Sequence, residues 1–264
     1  MFSLWIEHFP FSLQKIQKGV TKLKRQYWWV IVTYILMQLS GIIGGWILLK
    51  SGVYNNGHRT FEEKVQLATA HWGLISFFIA LIIILVLLRN DTQSEKWNRG
   101  KTNVPATIGW IILGVFLALF AQVIAGTIET QVFKIKAESE NTQNIIGIIT
   151  AAPLFMIVSS IFAPILEEIV FRKILFGTLY KRYNFFIAAI VSSLIFALIH
   201  FDPTHLLVYI SMGLVFSFLY VQTKRIIVPI MAHVMMNTNV MLITFVLRPY
   251  LEKAEKLQGF IGGF

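Results

Sequence analysis

The chain has 264 residues, 56% of them hydrophobic and 14% charged, with a mean hydropathy of +0.69 and a formal net charge of +10. Its 36 Lys, Arg, Asp and Glu residues are absent from seven stretches (26–49, 65–88, 102–128, 141–166, 183–201, 203–223 and 226–247) that together cover 163 positions. A soluble domain spreads charge along every amphipathic element and about 20 apolar residues cross a bilayer, so the pattern excludes a soluble protein.

The expected fold is all-α: a polytopic transmembrane bundle of about seven to eight helices. Residues 1–26 form an N-terminal segment whose Phe2, Leu4, Trp5, Ile6, Phe9 and Phe11 suit a short helix lying in the membrane interface. No small-residue cleavage site follows a short apolar core, as expected of a retained anchor rather than a cleaved signal. Residues 27–144 hold membrane helices I–III with polar loops. Span I, about Tyr27–Leu49, opens on the aromatic belt Tyr27, Trp28, Trp29 and carries Gly41, Gly44 and Gly45 for close packing. Span II runs over about His71–Leu88, and span III over about Val104–Thr127 with Pro105 in its first turn. The linkers 50–64, 89–103 and 129–144 carry no pattern of their own. Residues 145–250 hold the remaining spans, and 251–264 form a tail.

Alternate loops carry 15 and 8 of the 23 Lys and Arg residues, with the N-terminal segment on the richer side. The positive-inside rule then places the N-terminus in the cytoplasm of a multi-pass integral membrane protein. The basic surplus is thereby explained without nucleic acid, and membrane lipids are expected partners. With no cysteine, disulfides, Cys-ligated zinc and thiol catalysis are excluded.

Span IV breaks the pattern. Ile165-Leu166-Glu167-Glu168-Ile169-Val170-Phe171-Arg172 stays apolar on both sides of its charges, and the polar boundary comes only at Lys181-Arg182. A charge at mid-bilayer costs about 2.5–3.5 kcal/mol or more, so such residues face the protein interior and are functional by default. Glu168 and Arg172, four apart, share a helix face as an ion pair, while Glu167 lies ~100° away without that partner. Glu167 precedes the turn near 182–184 by about as many residues as His200 follows it. Across an antiparallel pair both would sit roughly 24 Å from that turn. His233 and Asn237, again four apart, share a face of span VII. A buried carboxylate, two imidazoles and an amide can thus converge. The carboxylate suits a general base acting on water, and the second imidazole and amide suit an oxyanion site. Asp202 and His205 read as turn residues.

Glu167-Glu168-x-x-x-Arg172, Phe196-x-x-x-His200 and His233-x-x-x-Asn237 resemble, in order and spacing, the motifs of the CAAX-protease and bacteriocin-processing (CPBP, or Abi) family, over roughly residues 150–245. The resemblance implies an intramembrane endopeptidase of the glutamate type in a bacterial cell membrane, with a peptide or membrane-protein substrate, acting in peptide maturation or bacteriocin immunity. In it, Glu167 would activate water with help from His200, and His233 and Asn237 would form the oxyanion site. Glu168 and Arg172 would hold the arrangement together, and Phe196 would pack beside His200. No cofactor is expected. The residues alone also permit zinc on Glu167, His200 and His233, although no His-Glu-x-x-His helix is present. Two other readings use the same polar cavity: a non-catalytic scaffold or immunity protein, and a small transporter with a proton relay.

Overall fold

A computed structural model describes residues 23–55, 57–91, 100–247 and 250. The interfacial helix expected within residues 1–26 and the tail at 251–264 lie almost wholly outside them. Among the described residues every regular element is a helix. The first three helices are α1 (Arg25–Lys50), α2 (Phe61–Leu88) and α3 (Val104–Gln131), followed by the short α4 (Glu140–Ala151). A composite helix α5 spans 155–179, and α6 (Phe185–Leu198), α7 (Leu206–Thr223) and α8 (Ile227–Leu242) complete the bundle. A π-helical turn, Ile243–Leu247, extends α8.

The helix starts follow local chemistry. Thr60 and Glu63 form a reciprocal capping box at α2, the Thr60 hydroxyl accepting from Glu63 N and the Glu63 carboxylate from Thr60 N. Asn103, Ser139 and Asn184 cap α3, α4 and α6 with their side-chain oxygens. At α7 the cap comes from another helix. Glu129 of α3 accepts from Leu207 N at 2.9 Å and Val208 N at 3.2 Å, two of the amides that a helix start leaves without partners.

Two sequence expectations need correction. The charge-free run 141–166 that leads into span IV is not one helix, because the backbone breaks after Ala151: Ala152 takes φ −142°, ψ 89°, and Pro153 follows. Proline cannot supply an amide to continue α4, and the residue before it is pushed to extended conformations. The linkers at 50–64 and 129–144 are also not featureless, since α2 begins at Phe61 and α3 runs on to Gln131. Among the described residues, five helical segments are long and apolar enough to cross a membrane: Arg25–Lys50, Phe61–Leu88, Val104–Gln131, Pro203–Thr223 and Ile227–Leu247. At 14 residues α6 is shorter, and α5 carries the charges that set it apart.

The bundle is built around α7, whose Met212, Gly213, Phe216, Ser217, Leu219 and Tyr220 are buried against α3, α6 and α8. The chief core side chains are Leu166, Ile174, Phe196, Phe216, Leu219 and Val228, all at 0% exposure. On the outside, Ile42, Ile43, Trp46, Phe116, Phe120 and Val123 stand exposed along α1 and α3. In water such a surface would aggregate; on an integral multi-pass membrane protein it meets the lipid tails. Beneath the membrane end that holds the start of α1, Asp91 gathers Tyr27 at 2.8 Å, Gln26 at 3.0 Å, and Lys24 and Lys173 at 3.2 Å. Burial opposes the charge on Asp91, but the Tyr27 hydroxyl and the two lysines outweigh it and hold its carboxyl below the ordinary value.

α1 and α2 meet at Gly44, where a β-carbon would overlap the indole of Trp72, whose Nε1 donates to the Ser40 hydroxyl at 3.0 Å. No atom lies within 4 Å of a β-carbon placed on Gly41. Gly44→Val is therefore expected to destabilise the detergent-solubilised protein by about 1–3 kcal/mol, while Gly41→Val leaves it near wild type. Thermal unfolding of the two variants checks the contrast.

Candidate active site

The composite helix α5 carries the charged motif on an irregular backbone. Two π-helical stretches, Val158–Phe162 and Glu168–Phe176, flank a short α-helical piece, Ala163–Glu167. Extra residues in π turns re-aim side chains, and such turns concentrate at functional sites. Here the change of winding falls between the two adjacent glutamates. Glu168 points into the protein at 0% exposure, whereas the Glu167 side chain keeps 13% and faces a cavity.

Glu168 is held from two sides. Its Oε1 accepts from His233 Nδ1 at 3.0 Å, and its Oε2 lies 3.2 Å from Arg172 Nε. The second contact lacks hydrogen-bond alignment, so it is an ion pair rather than a directed bond. The Arg172 guanidinium, 1% exposed, lies 4.2 Å above the Phe196 ring and 5.4 Å from Phe216. Cation–π attraction from desolvated rings supplies part of what the missing hydrogen bonds do not. His233 stacks on Phe216 with centroids 4.7 Å apart. These contacts tie α5, α6, α7 and α8 together at one point.

Glu167, His200, His233 and Asn237 all line one cavity of about 410 Å³. His233 Nε2 is 3.9 Å from Glu167 Oε2, too far for a direct hydrogen bond. Since Nδ1 of His233 donates to Glu168, its Nε2 is the nitrogen turned to the cavity. In His200, Nδ1 donates to the Phe196 carbonyl at 2.7 Å, which leaves Nε2 as an acceptor. Its ring is clamped between Phe196, edge-on at 4.6 Å, and Tyr209, stacked at 4.1 Å. Asn237 Nδ2 donates to the Ser159 carbonyl at 3.1 Å, which leaves a second N–H and its oxygen for other partners. The Ser159 carbonyl lies in the first π-helical stretch, where the ordinary helix ladder is interrupted.

Sequence reasoning missed several side chains around these groups. Tyr209 fixes the His200 ring, and its hydroxyl accepts from Asn141 Nδ2 at 3.1 Å. Asp202 and His205, read as turn residues, are buried at 3% and 6%. Asp202 accepts from Ser139 at 2.6 Å, and His205 Nδ1 lies 2.9 Å from Glu129 Oε2. Hydroxyl bonds from Ser139 and Thr204 hold the Asp202 carboxyl below its usual value against the opposing effect of burial. This cluster borders a second cavity of about 530 Å³, which shares Gln122, Thr142, Tyr209 and Met212 with the first. The sequence signal for Glu129 was its place directly after 27 uncharged residues, where a carboxylate still belongs to the apolar helix. Among the described residues no three His, Asp or Glu side chains stand together as metal ligands would.

A model of the type II CAAX prenyl endopeptidase Rce1-like family matches residues 149–239, the stretch that carries all three motifs. The chain is 49% identical over 243 residues to a Bacillus subtilis (strain 168) protein named "Putative membrane peptidase YdiL", covering 91% of this chain and 99% of the relative. It is also 44% identical over 115 residues to "Membrane-embedded CAAX protease MroQ" of Staphylococcus aureus (strain USA300), covering 41% of this chain and 47% of that one. No solved structure matches.

Removing one partner of a buried ion pair leaves the other uncompensated, at about 3–5 kcal/mol. Glu168→Gln is expected to lose stability on that scale, and Glu168→Gln combined with Arg172→Met to lose less than the two single changes together. Unfolding of the three variants in detergent measures the coupling.

Proposed function

This chain belongs to the Rce1-like family of CAAX-type membrane peptidases, and on that premise we propose that it cleaves a peptide bond within the membrane by means of a water molecule activated by Glu167. The observation that carries this reading is the division of labour between adjacent carboxylates. Glu168 is fully committed to Arg172 and His233, while Glu167 faces the cavity with no hydrogen bond of its own among the described residues. A general base needs to be free to take a proton.

The proposed reaction balances on residues of the cavity wall. Glu167 takes a proton from water, whose oxygen bonds to the scissile carbonyl carbon. His200 Nε2, an acceptor, holds the second water hydrogen and so directs the lone pair. Negative charge then collects on the former carbonyl oxygen. His233 as an imidazolium donates from Nδ1 to Glu168 and from Nε2 into the cavity, and Asn237 has one N–H left; both serve as donors to that oxyanion. Collapse breaks the C–N bond, and Glu167 returns its proton to the departing nitrogen. Glu168, Arg172 and Phe196 act as positioning residues.

This mechanism uses no metal ion. The loops richer in Lys and Arg, with Lys24, Arg25, Lys101, Lys181, Arg182, Lys224 and Arg225 at one end of the bundle, support a cytoplasmic N-terminus. Peptide maturation and bacteriocin immunity both draw on this chemistry and differ in the peptide cut.

Cells carrying the wild-type chain or Glu167→Gln are compared for new peptide termini. Termini present only with the wild type are expected, and their absence defeats the reading. With a peptide found this way, Glu167→Gln and His233→Ala should each lower kcat by about 10²-fold or more. Activity should also survive a zinc chelator; loss with restoration by zinc would replace the glutamate mechanism with a metal one.

A further inference from the structure

The cavity holding Glu167 has a second wall, built from helices that precede residue 149 and lie outside the family match. Two glutamines on that wall are out of place in a bilayer. Gln38 lies midway along α1, in a stretch without charge, and Gln122 lies in Phe120-Ala121-Gln122-Val123-Ile124 of α3. Both line the cavity. Gln38 is exposed, and its Nε2 donates to the Tyr34 hydroxyl at 3.3 Å. Gln122 is half-buried and makes no side-chain hydrogen bond among the described residues. A carboxamide with unused donors and acceptor inside a membrane is costly, so Gln122, with no partner, and Gln38, with only the Tyr34 hydroxyl, call for an occupant of the cavity that uses them.

The chemistry of cleavage names that occupant. A helical peptide keeps each carbonyl in an i→i−4 bond, so its scissile carbonyl is accessible only after unwinding. Unwound backbone in a membrane must find partners for its N–H and C=O groups from the protein. A carboxamide carries two donors and one acceptor on a neutral group, the same pairing that the peptide unit offers. Beside them, Met212, Met236 and Met241 line the cavity with flexible apolar side chains that adapt to varied shapes.

We propose that Gln38 and Gln122 form the main-chain subsite of the peptidase, holding an extended, apolar stretch of substrate by its backbone while the methionines take its side chains. The subsite rests on the hydrolytic reading of Glu167. It explains how a site can bind peptides by shape and backbone without a charged anchor.

Full-length Gln38→Leu, Gln122→Leu and the double variant are compared with the wild type in two measurements. In detergent, the unfolding temperature of the double variant should equal or exceed that of the wild type, because leucine suits an apolar wall better than an amide with unused hydrogen-bonding groups. In cells, termini that depend on Glu167 should fall about fivefold or more. For a synthetic peptide spanning such a terminus, KM should rise about five- to tenfold with kcat within about twofold, the scale of one or two lost neutral hydrogen bonds. A lower unfolding temperature, undiminished termini, or a fall in kcat at constant KM overturns the subsite. If Glu167→Gln itself leaves every terminus in place, the hydrolytic reading fails and the subsite with it. If termini depend on Glu167 and not on the glutamines, only the subsite falls.

Discussion

The buried contact of Glu168 with Arg172 and His233 is the constraint around which the half of the bundle that carries the three motifs is arranged. An ion pair taken out of both water and lipid repays its desolvation only with close geometry and further partners. Here those partners come from four helices: Glu168 and Arg172 from α5, His233 from α8, and the rings of Phe196 and Phe216 from α6 and α7. Each helix is therefore fixed in depth and rotation by what it contributes to a single charge. Once they are fixed, Glu167, one residue away, has one direction left, and it is toward the cavity.

The change of winding at Glu168 is part of the same arrangement. In a regular helix the 100° step between neighbours would already separate the glutamates, and the π turns add freedom to aim each one. The first π stretch also frees the Ser159 carbonyl to receive Asn237. Irregular backbone at membrane depth is tolerated where it is buried in protein or borders a cavity, and α5 meets both conditions.

Much of this was legible in the residues. Charge in a membrane is so expensive that Glu167, Glu168 and Arg172 stood out against Ile165, Leu166 and Ile169 without any structure. Spacing of four then paired Glu168 with Arg172 and His233 with Asn237. The less visible groups are neutral or cross between helices. Tyr209, Gln38 and Gln122 blend into apolar runs because an isolated tyrosine or glutamine costs far less than a charge. Glu129, Asp202 and His205 looked like loop residues because their partnerships depend on the end of α3 and the loop after it meeting the turn before α7, pairings across 63 and 76 positions with no local period. The break at Ala152 was hidden because charge-free sequence runs straight through Pro153.

The cap that Glu129 places on α7 bears on the order in which the protein is made. Its partner amides at Leu207 and Val208 come 78 and 79 residues later in the chain. While the nascent chain is being inserted, α3 reaches the bilayer with a carboxylate that has nothing to bind, and its cost is relieved only when the start of α7 arrives. A fragment beginning at residue 149 would enter the membrane with an uncapped central helix, even though it holds every residue of the three motifs.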